Sequence, residues 1–288
     1  METIRDAVEN IVATLQKRIG KNEAKNYAWL ILNFLKNYSL SDLFLKQDEK
    51  LSDKEKSFII KSLKRLKKYE PIQYVLGRTF FMELPFIVNK NVLIPRPETE
   101  ELVEWVLNEI KSPKPIVLDI GTGSGCIACT IKKHTIEADV EAWDISQKAL
   151  NIAKLNAKLN NVKVNFQCVD IFEYQHDKNQ LFDIIISNPP YITEKEKKLI
   201  QPNVLNYEPH KALFVPDDKP LLFYEKIGDL SLTALKSGGQ LFLEINEMFG
   251  QKIINMLKTK GFKNVELRKD ISGRDRMVRG DIIIDTGR

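Results

Sequence analysis

From residue 115 onward the chain alternates short apolar runs with amphipathic ones, and this alternation leaves very few folds open. "PIVLDIG" precedes a helix-forming stretch, "ADVEAWDIS" precedes "QKALNIAKLNAKLN", and "VKVNFQCVDIF" and "LFDIIISN" follow. After a longer loop, "PLLFYEKIGDLSLTALKSGG" reads as a helix and "QLFLEIN" as a strand. One more helix then leads into "KNVELRKD" and "RMVRGDIIIDT". Strands that are apolar throughout, with helices between them, indicate a parallel sheet covered on both faces. The expected class is therefore α/β, a doubly wound sheet. Its last two runs have no helix between them, which predicts an antiparallel last strand.

The residues before this region have a different texture. Ile4, Val8, Ile11, Val12, Leu15 and Ile19 recur at three- and four-residue steps, and "NEAKNYAWLILNFLKNY" continues that period through Trp29, Leu32 and Leu35. In "LSDKEKSFIIKSLKRLKKYE", Ser52 stands three residues before Glu55 as a helix cap, and Phe58, Ile59, Leu63 and Leu66 form the apolar face. The basic run at 61–68 fits a solvated helix face better than a contact with a protein partner or RNA. Then "PIQYVLGRTFFMELPFIVNKNVLIPRPETE", with bulky and β-branched runs broken at "NKN", predicts a β-hairpin linking two domains. "PETEELVEWVLNEI" starts a helix with Pro97 early and acids in the first turn. The organisation expected is a helical domain over 1–76, a hairpin linker over 77–95 and an α/β domain over 96–288.

A length of 288 residues suits two domains, and 43% hydrophobic with 29% charged residues describes an ordinary globular chain. The net charge of +5 permits an acidic partner without requiring one. The three cysteines, at 126, 129 and 168, argue against a disulfide framework and for a reducing compartment. The first residues lack the basic segment and apolar run of a signal peptide, and no apolar stretch reaches the roughly 20 residues that span a bilayer. These features predict a cytoplasmic protein. Cys126 and Cys129 lie in "GCIACTI", where packing against the sheet is the expected role. His134, His176 and His210 share no metal-ligand spacing, so no metal site is expected.

"VLDIGTGSGC" places Asp119 at the end of a strand, then Gly121, Thr122, Gly123, Ser124 and Gly125 before a helix. Glycines there let the backbone turn sharply and approach a ligand. A dinucleotide fingerprint would carry its last glycine at position 126, which here is a cysteine. The pattern D-x-G-x-G-x-G instead resembles the first motif of class I S-adenosylmethionine-dependent methyltransferases. Asp144 ends the next strand, where a carboxylate can accept both ribose hydroxyls, and Asp170 ends the third, within reach of an adenine amino group. Three acids ending successive strands gather along one edge of the sheet.

"SNPPYI" follows the fourth strand, which in a doubly wound sheet lies beside the first. Pro189 and Pro190 have fixed torsions and no N–H, and both Asn188 and Pro189 are held out of helical geometry by the proline that follows each. The result is a stiff segment of acceptors, the Asn188 side-chain oxygen and the Pro189 carbonyl, with Tyr191 as an aromatic wall. Such a site suits a planar –NH2 group, whose nitrogen it can aim at a methyl carbon. A plain strand stop would explain a solitary Asn-Pro. It does not explain one placed behind three ordered acids.

With "PIQYVLG", "VLIPRPETE", "VLDIGTGSGCIA", "SNPPYI", "YEPHKAL" and "SGRDRMVRG", the chain resembles the protein (glutamine-N5) methyltransferases of the PrmC/HemK family, from residue 71 to 280. The resemblance implies a Rossmann-like class I methyltransferase sheet with a small N-terminal helical domain that recognises substrate. It implies S-adenosyl-L-methionine as cofactor and, as partners, class-1 peptide chain release factors, whose Gly-Gly-Gln glutamine is methylated on its amide nitrogen; no direct nucleic acid is required. Carried over, Asn188 and the Pro189 carbonyl hold the amide, Pro190 stiffens the segment, and Tyr191 packs on the glutamine. Gly121 to Gly125, Asp144 and Asp170 hold the cofactor, whose methyl end Asn188 also borders. Some members carry an aromatic residue after the third-strand acid; here it is Ile171, with Phe172 next, and which of the two covers the adenine stays open. A glutamine methyltransferase acting on a large-subunit ribosomal protein and a DNA adenine N6-methyltransferase remain alternatives.

Overall fold

The computed structural model describes residues 1–175 and 181–283. They divide into two compact units, Met1–Gly77 with Gln201–Tyr207, and Arg78–Ile200 with Glu208–Arg288. The first unit contains α1 (Ile4–Ile19), α2 (Lys21–Lys36), α3 (Leu40–Leu45), α4 (Asp53–Leu66) and α5 (Ile72–Leu76). Thr3, Ser39 and Ser52 cap α1, α3 and α4. In each case the hydroxyl accepts from the backbone three residues on, and the acid there accepts from the cap backbone. Such caps satisfy N–H groups that the helix itself cannot, each worth about 1 kcal/mol.

Ile4, Ile11 and Leu15 of α1 meet Ala28, Ile31 and Leu32 of α2 and Ile59, Leu63 and Leu66 of α4 in one core. Val8, Val12 and Ile19 pack at its margin. Within the basic run, Arg65 pairs with Glu70 at 2.6 Å and donates to the carbonyls of Tyr74 and Val75 at 3.0 Å each. It therefore ties α4 to α5, while Lys61, Lys64, Lys67 and Lys68 are exposed.

The second unit opens with an antiparallel hairpin, β1 (Arg78–Phe81) and β2 (Leu84–Ile87). It reverses at Met82-Glu83, not at Asn89–Asn91, and "PIQYVLG" before it is largely α5 rather than strand. Met82 and Glu83 both have positive φ, 45° and 65°, the geometry of the tight two-residue turn that matches strand twist. Neither is glycine or asparagine, so the turn carries no compositional signal. It is held by Met82 N–H donating to Glu100 Oε1 at 2.8 Å.

Then follow α6 (Pro97–Glu109), β3 (Ile116–Ile120), α7 (Cys126–His134), β4 (Asp139–Asp144), α8 (Gln147–Leu159), β5 (Asn165–Cys168) and β6 (Phe182–Ser187). Next come the short β7 (Ile192–Thr193), α9 (Pro202–Tyr207) inside the segment that joins the first unit, and β8 (Phe214–Val215). The chain ends with α10 (Leu222–Ala234), β9 (Leu235–Glu244), α11 (Gly250–Lys260), β10 (Lys263–Lys269) and β11 (Asp275–Asp281).

The main sheet runs β10-β11-β9-β6-β3-β4-β5. β3, β4, β5, β6 and β9 pair in parallel, and β11 is antiparallel to both its neighbours, as the sequence predicts. Val117 and Ile184 point into a cluster with α6 and α7, Leu118 and Ile185 into one with α10 and α11, so helices bury both faces. β4 and β5 lie on one side of β3, and β6 returns to the other. This reversal opens a crevice at the strands' carboxyl ends, between β3 and β6.

Candidate active site

That crevice is a cavity of about 650 Å³. Its walls take Gly121 and Gly123 after β3, Asp144 at the end of β4, Asp170, Ile171 and Phe172 after β5, and Asn188, Pro189 and Pro190 after β6. Thr122, Ser124, Gly125 and Tyr191 stand outside those walls. Asp170 lies two residues beyond β5, and its carboxylate accepts from Phe172 N–H at 2.9 Å, which shapes the turn there. His176 lies outside the described residues.

Gly121, Gly123 and Gly125 have φ of 76°, 54° and 78°, left-handed values that cost other residues strain. Gly121 and Thr122 both donate to the Trp143 carbonyl at 2.9 Å. Gly123 N–H and Ser146 N–H each donate to one Asp144 oxygen, at 2.8 Å. Each carboxylate oxygen keeps a second lone pair, so Asp144 can still accept from two hydroxyls at the cavity wall. Burial raises its pKa.

Asp119, behind the loop, is fully buried. Its Oδ2 accepts from Thr122 Oγ1 at 2.6 Å, while Oδ1 has no hydrogen-bond partner among the described residues. Burial pushes its carboxyl up to about 7. A glycine cradle and an acid at the cavity wall, Asp144, suit a nucleoside-bearing cation such as S-adenosylmethionine, while Asp119 stands behind the loop and does not line the cavity. At the far wall Phe172 meets Phe223 edge to face, centroids 5.3 Å apart, while Ile171 is buried in the core. Phe172 and Phe223 thus offer the exposed aromatic surface.

A second group of residues fixes the Asn-Pro-Pro-Tyr segment. Asn188 Nδ2 donates to Thr99 Oγ1 at 3.0 Å, and Thr99 Oγ1 donates to Glu244 Oε2 at 2.6 Å. Tyr191 turns its hydroxyl onto Glu244 Oε1 at 3.1 Å, and its carbonyl accepts from Asn246 Nδ2 at 3.1 Å. Burial raises the Glu244 carboxyl, opposed by the two hydroxyls and the positive charge of Arg276. Arg276 is itself held by Asp270 at 3.0 Å.

Glu208, also buried, accepts from Ile94 N–H at 3.1 Å and pairs with Arg96 at 2.6 Å, so "YEPH" anchors "VLIPRP". Thr99, Glu208, Phe223, Glu244 and Asn246 were missed from sequence. Two of them sit in "PETE" and "YEPH", but neither stretch names its partner. Cys126 and Cys129 are free, buried thiols. Burial pushes Cys126 up to about 12 and raises Cys129 as well, so both stay protonated and serve as packing. Among the described residues, no helix is long and apolar enough to cross a membrane.

The chain is similar to known proteins over most of its length. The methyltransferase small domain matches residues 99–207, and the PrmC N-terminal domain matches 6–77. A solved methyltransferase from Pyrococcus furiosus superposes with a TM-score of 0.53 at 17% identity, covering 81% of this chain and 100% of that one. The fold is that of an S-adenosylmethionine-dependent methyltransferase. The release factor glutamine methyltransferase of Flavobacterium psychrophilum is 46% identical over 280 residues, 96% of this chain and 98% of that protein. Its counterpart in Bacteroides thetaiotaomicron is 41% identical over 265 residues, 92% and 95% of the two chains. The chain belongs to the release factor glutamine methyltransferase family.

Proposed function

We propose that this protein methylates the side-chain amide nitrogen of the glutamine in the Gly-Gly-Gln motif of class-1 peptide chain release factors, using S-adenosyl-L-methionine. The observation that carries the reading is Asn188, Pro189 and Pro190 on the wall of the cavity that also holds Gly121, Gly123 and Asp144. An amide nitrogen is a poor nucleophile because its lone pair is delocalised. Asn188 Oδ1 and the Pro189 carbonyl accept its two hydrogens, orient it, and favour the positive charge that grows on it during transfer. Pro190 locks the torsions of that carbonyl. Tyr191, bound to Glu244, braces the segment from behind.

Asp144 takes the ribose hydroxyls, Gly121 and Gly123 of the glycine loop lie along the donor, and Asp170 with Ile171 and Phe172 borders the base. The bound donor supplies a methyl group on a sulfonium with a neutral thioether as leaving group; the N-methylated amide cation is strongly acidic and releases its extra proton to water, so no strong base is needed. Residues 1–76 are the proposed substrate-recognition domain, 77–95 the linker that contains the hairpin, and 96–288 the transfer domain apart from 201–207, which pack with the first unit. The substrate acts in translation, which places the reaction in the cytoplasm.

With labelled S-adenosylmethionine, the purified protein should label a release factor and fail to label one whose Gly-Gly-Gln glutamine is replaced. Labelling of a ribosomal protein alone, or of DNA alone, would reassign the substrate. Asn188→Ala should lower turnover at least ~100-fold, the size of losing one acceptor or donor at a reacting centre, while donor affinity measured by calorimetry changes little.

A further inference from the structure

We propose that Thr99 is a positioning residue: hydrogen-bonded to Glu244, it decides which way round the Asn188 amide sits, and so makes the acceptor site select an –NH2 group over a carboxylate. The inference rests on the function proposed above. Thr99, third residue of α6, is 2% exposed, and Glu244, last residue of β9, is 1% exposed. The bond between Thr99 and Glu244 is therefore shielded from bulk water, while the bond from Asn188 to Thr99 is part-buried at the cavity wall.

The directions of these bonds follow from the chemistry of the groups. Both Glu244 oxygens act as acceptors, Oε1 from the Tyr191 hydroxyl at 3.1 Å and Oε2 from Thr99 at 2.6 Å, so the single Thr99 hydrogen is spent on Oε2. The lone pairs of Thr99 Oγ1 are then left for Asn188, 3.0 Å away. A side-chain oxygen there would set lone pair against lone pair, so Nδ2 must face Thr99 and Oδ1 must take the other side. Tyr191, donating to Oε1 of the same carboxylate at 3.1 Å, and the charge of Arg276 favour Glu244 as acceptor. The α6 helix, the end of β9 and the β6 loop, far apart in sequence, together fix one torsion at the reacting centre.

Oriented this way, Asn188 presents an acceptor to the substrate. A glutamine amide satisfies it with a hydrogen, whereas the carboxylate of a glutamate would meet it oxygen to oxygen. Without the Thr99 hydroxyl the two orientations of the Asn188 amide become comparable. One of them offers –NH2 to the substrate and cannot hold a substrate –NH2 group.

The test compares Thr99→Val, which keeps the shape and removes the hydroxyl, with Thr99→Ser, which keeps the hydroxyl. Thr99→Val should lower kcat on a release factor by ~10-fold or more, with KM and donor affinity close to those of the native protein and a lower melting temperature, because Glu244 and Asn188 lose a partner. Thr99→Ser should recover most of kcat. Inhibition by a release factor carrying glutamate in place of the target glutamine should tighten in Thr99→Val relative to the native protein. Independently of any substrate, the Asn188 side-chain NH2 signals, assigned by their loss in Asn188→Asp, should be protected from exchange in the native protein and lose that protection in Thr99→Val. Equal protection in the two proteins, or a Thr99→Ser as slow as Thr99→Val, would overturn the proposal. If the native protein labels no release factor, the function reading fails and the NH2 exchange still decides the role of Thr99.

Discussion

Burial of Asp119 makes the cofactor loop sensitive to pH. Its folded-state value, about 7, lies above the 3.8 of an exposed aspartate, so the native protein keeps a proton that the unfolded chain releases. Between about pH 4 and pH 7 the unfolded state binds fewer protons, and stability falls as pH rises through that window; below it both states are protonated. Asp119→Asn removes the ionisation, so its gain in melting temperature over the native protein should be larger at pH 8 than at pH 5. A gain equal at the two pH values would contradict the role assigned to burial. Asp119, Asp144 and the glycines were legible in sequence because each sits at a fixed offset from a strand end. Thr99 and Glu244 were not, because they are 145 residues apart and only the folded sheet brings them together. Tyr191 was legible as a member of the motif but not in its placement, behind the cavity wall with its hydroxyl on Glu244.

At the scale of elements, Gly125 fixes how closely α7 approaches α8. A Cβ there would lie 3.0 Å from the Ala153 Cβ and 3.2 Å from its Cα, at a φ of 78°. Gly125→Ala should therefore destabilise the second unit by about 2–4 kcal/mol, combining left-handed strain with overpacking, measured by urea unfolding. Ser52→Ala, removing the cap of α4, should cost about 1 kcal/mol in the same measurement. The alternation of strands and helices was readable because burial imposes its period on the sequence. The hairpin turn was not, since Met82 and Glu83 adopt positive φ under tertiary restraint, with Glu100 holding the turn from α6. The extent of β9 was also hidden. It begins at Leu235, in a stretch whose composition reads as the end of the preceding helix.

For the molecule as a whole, the chain passes between its two units three times, after Gly77, after Ile200 and after Tyr207. The returning segment is bound within the first unit, where the Tyr207 hydroxyl donates to the Lys68 carbonyl at 2.7 Å. Replacing residues 201–207 by a Gly/Ser linker of equal length should speed amide exchange in α4 and α5 several-fold while leaving the central strands of the sheet unchanged. Equal exchange in α4 and α5 would show the segment to be dispensable there. No pattern in the sequence announced this return, because α9 has no fully buried residue and leaves no apolar period to read. The return has a consequence for inheritance. A recombination event joining two genes at codon 77 would carry over α1 to α5 but leave their companion segment behind in the other parent. Such a chimera should inherit the same faster exchange in α4 and α5 that the linker replacement produces.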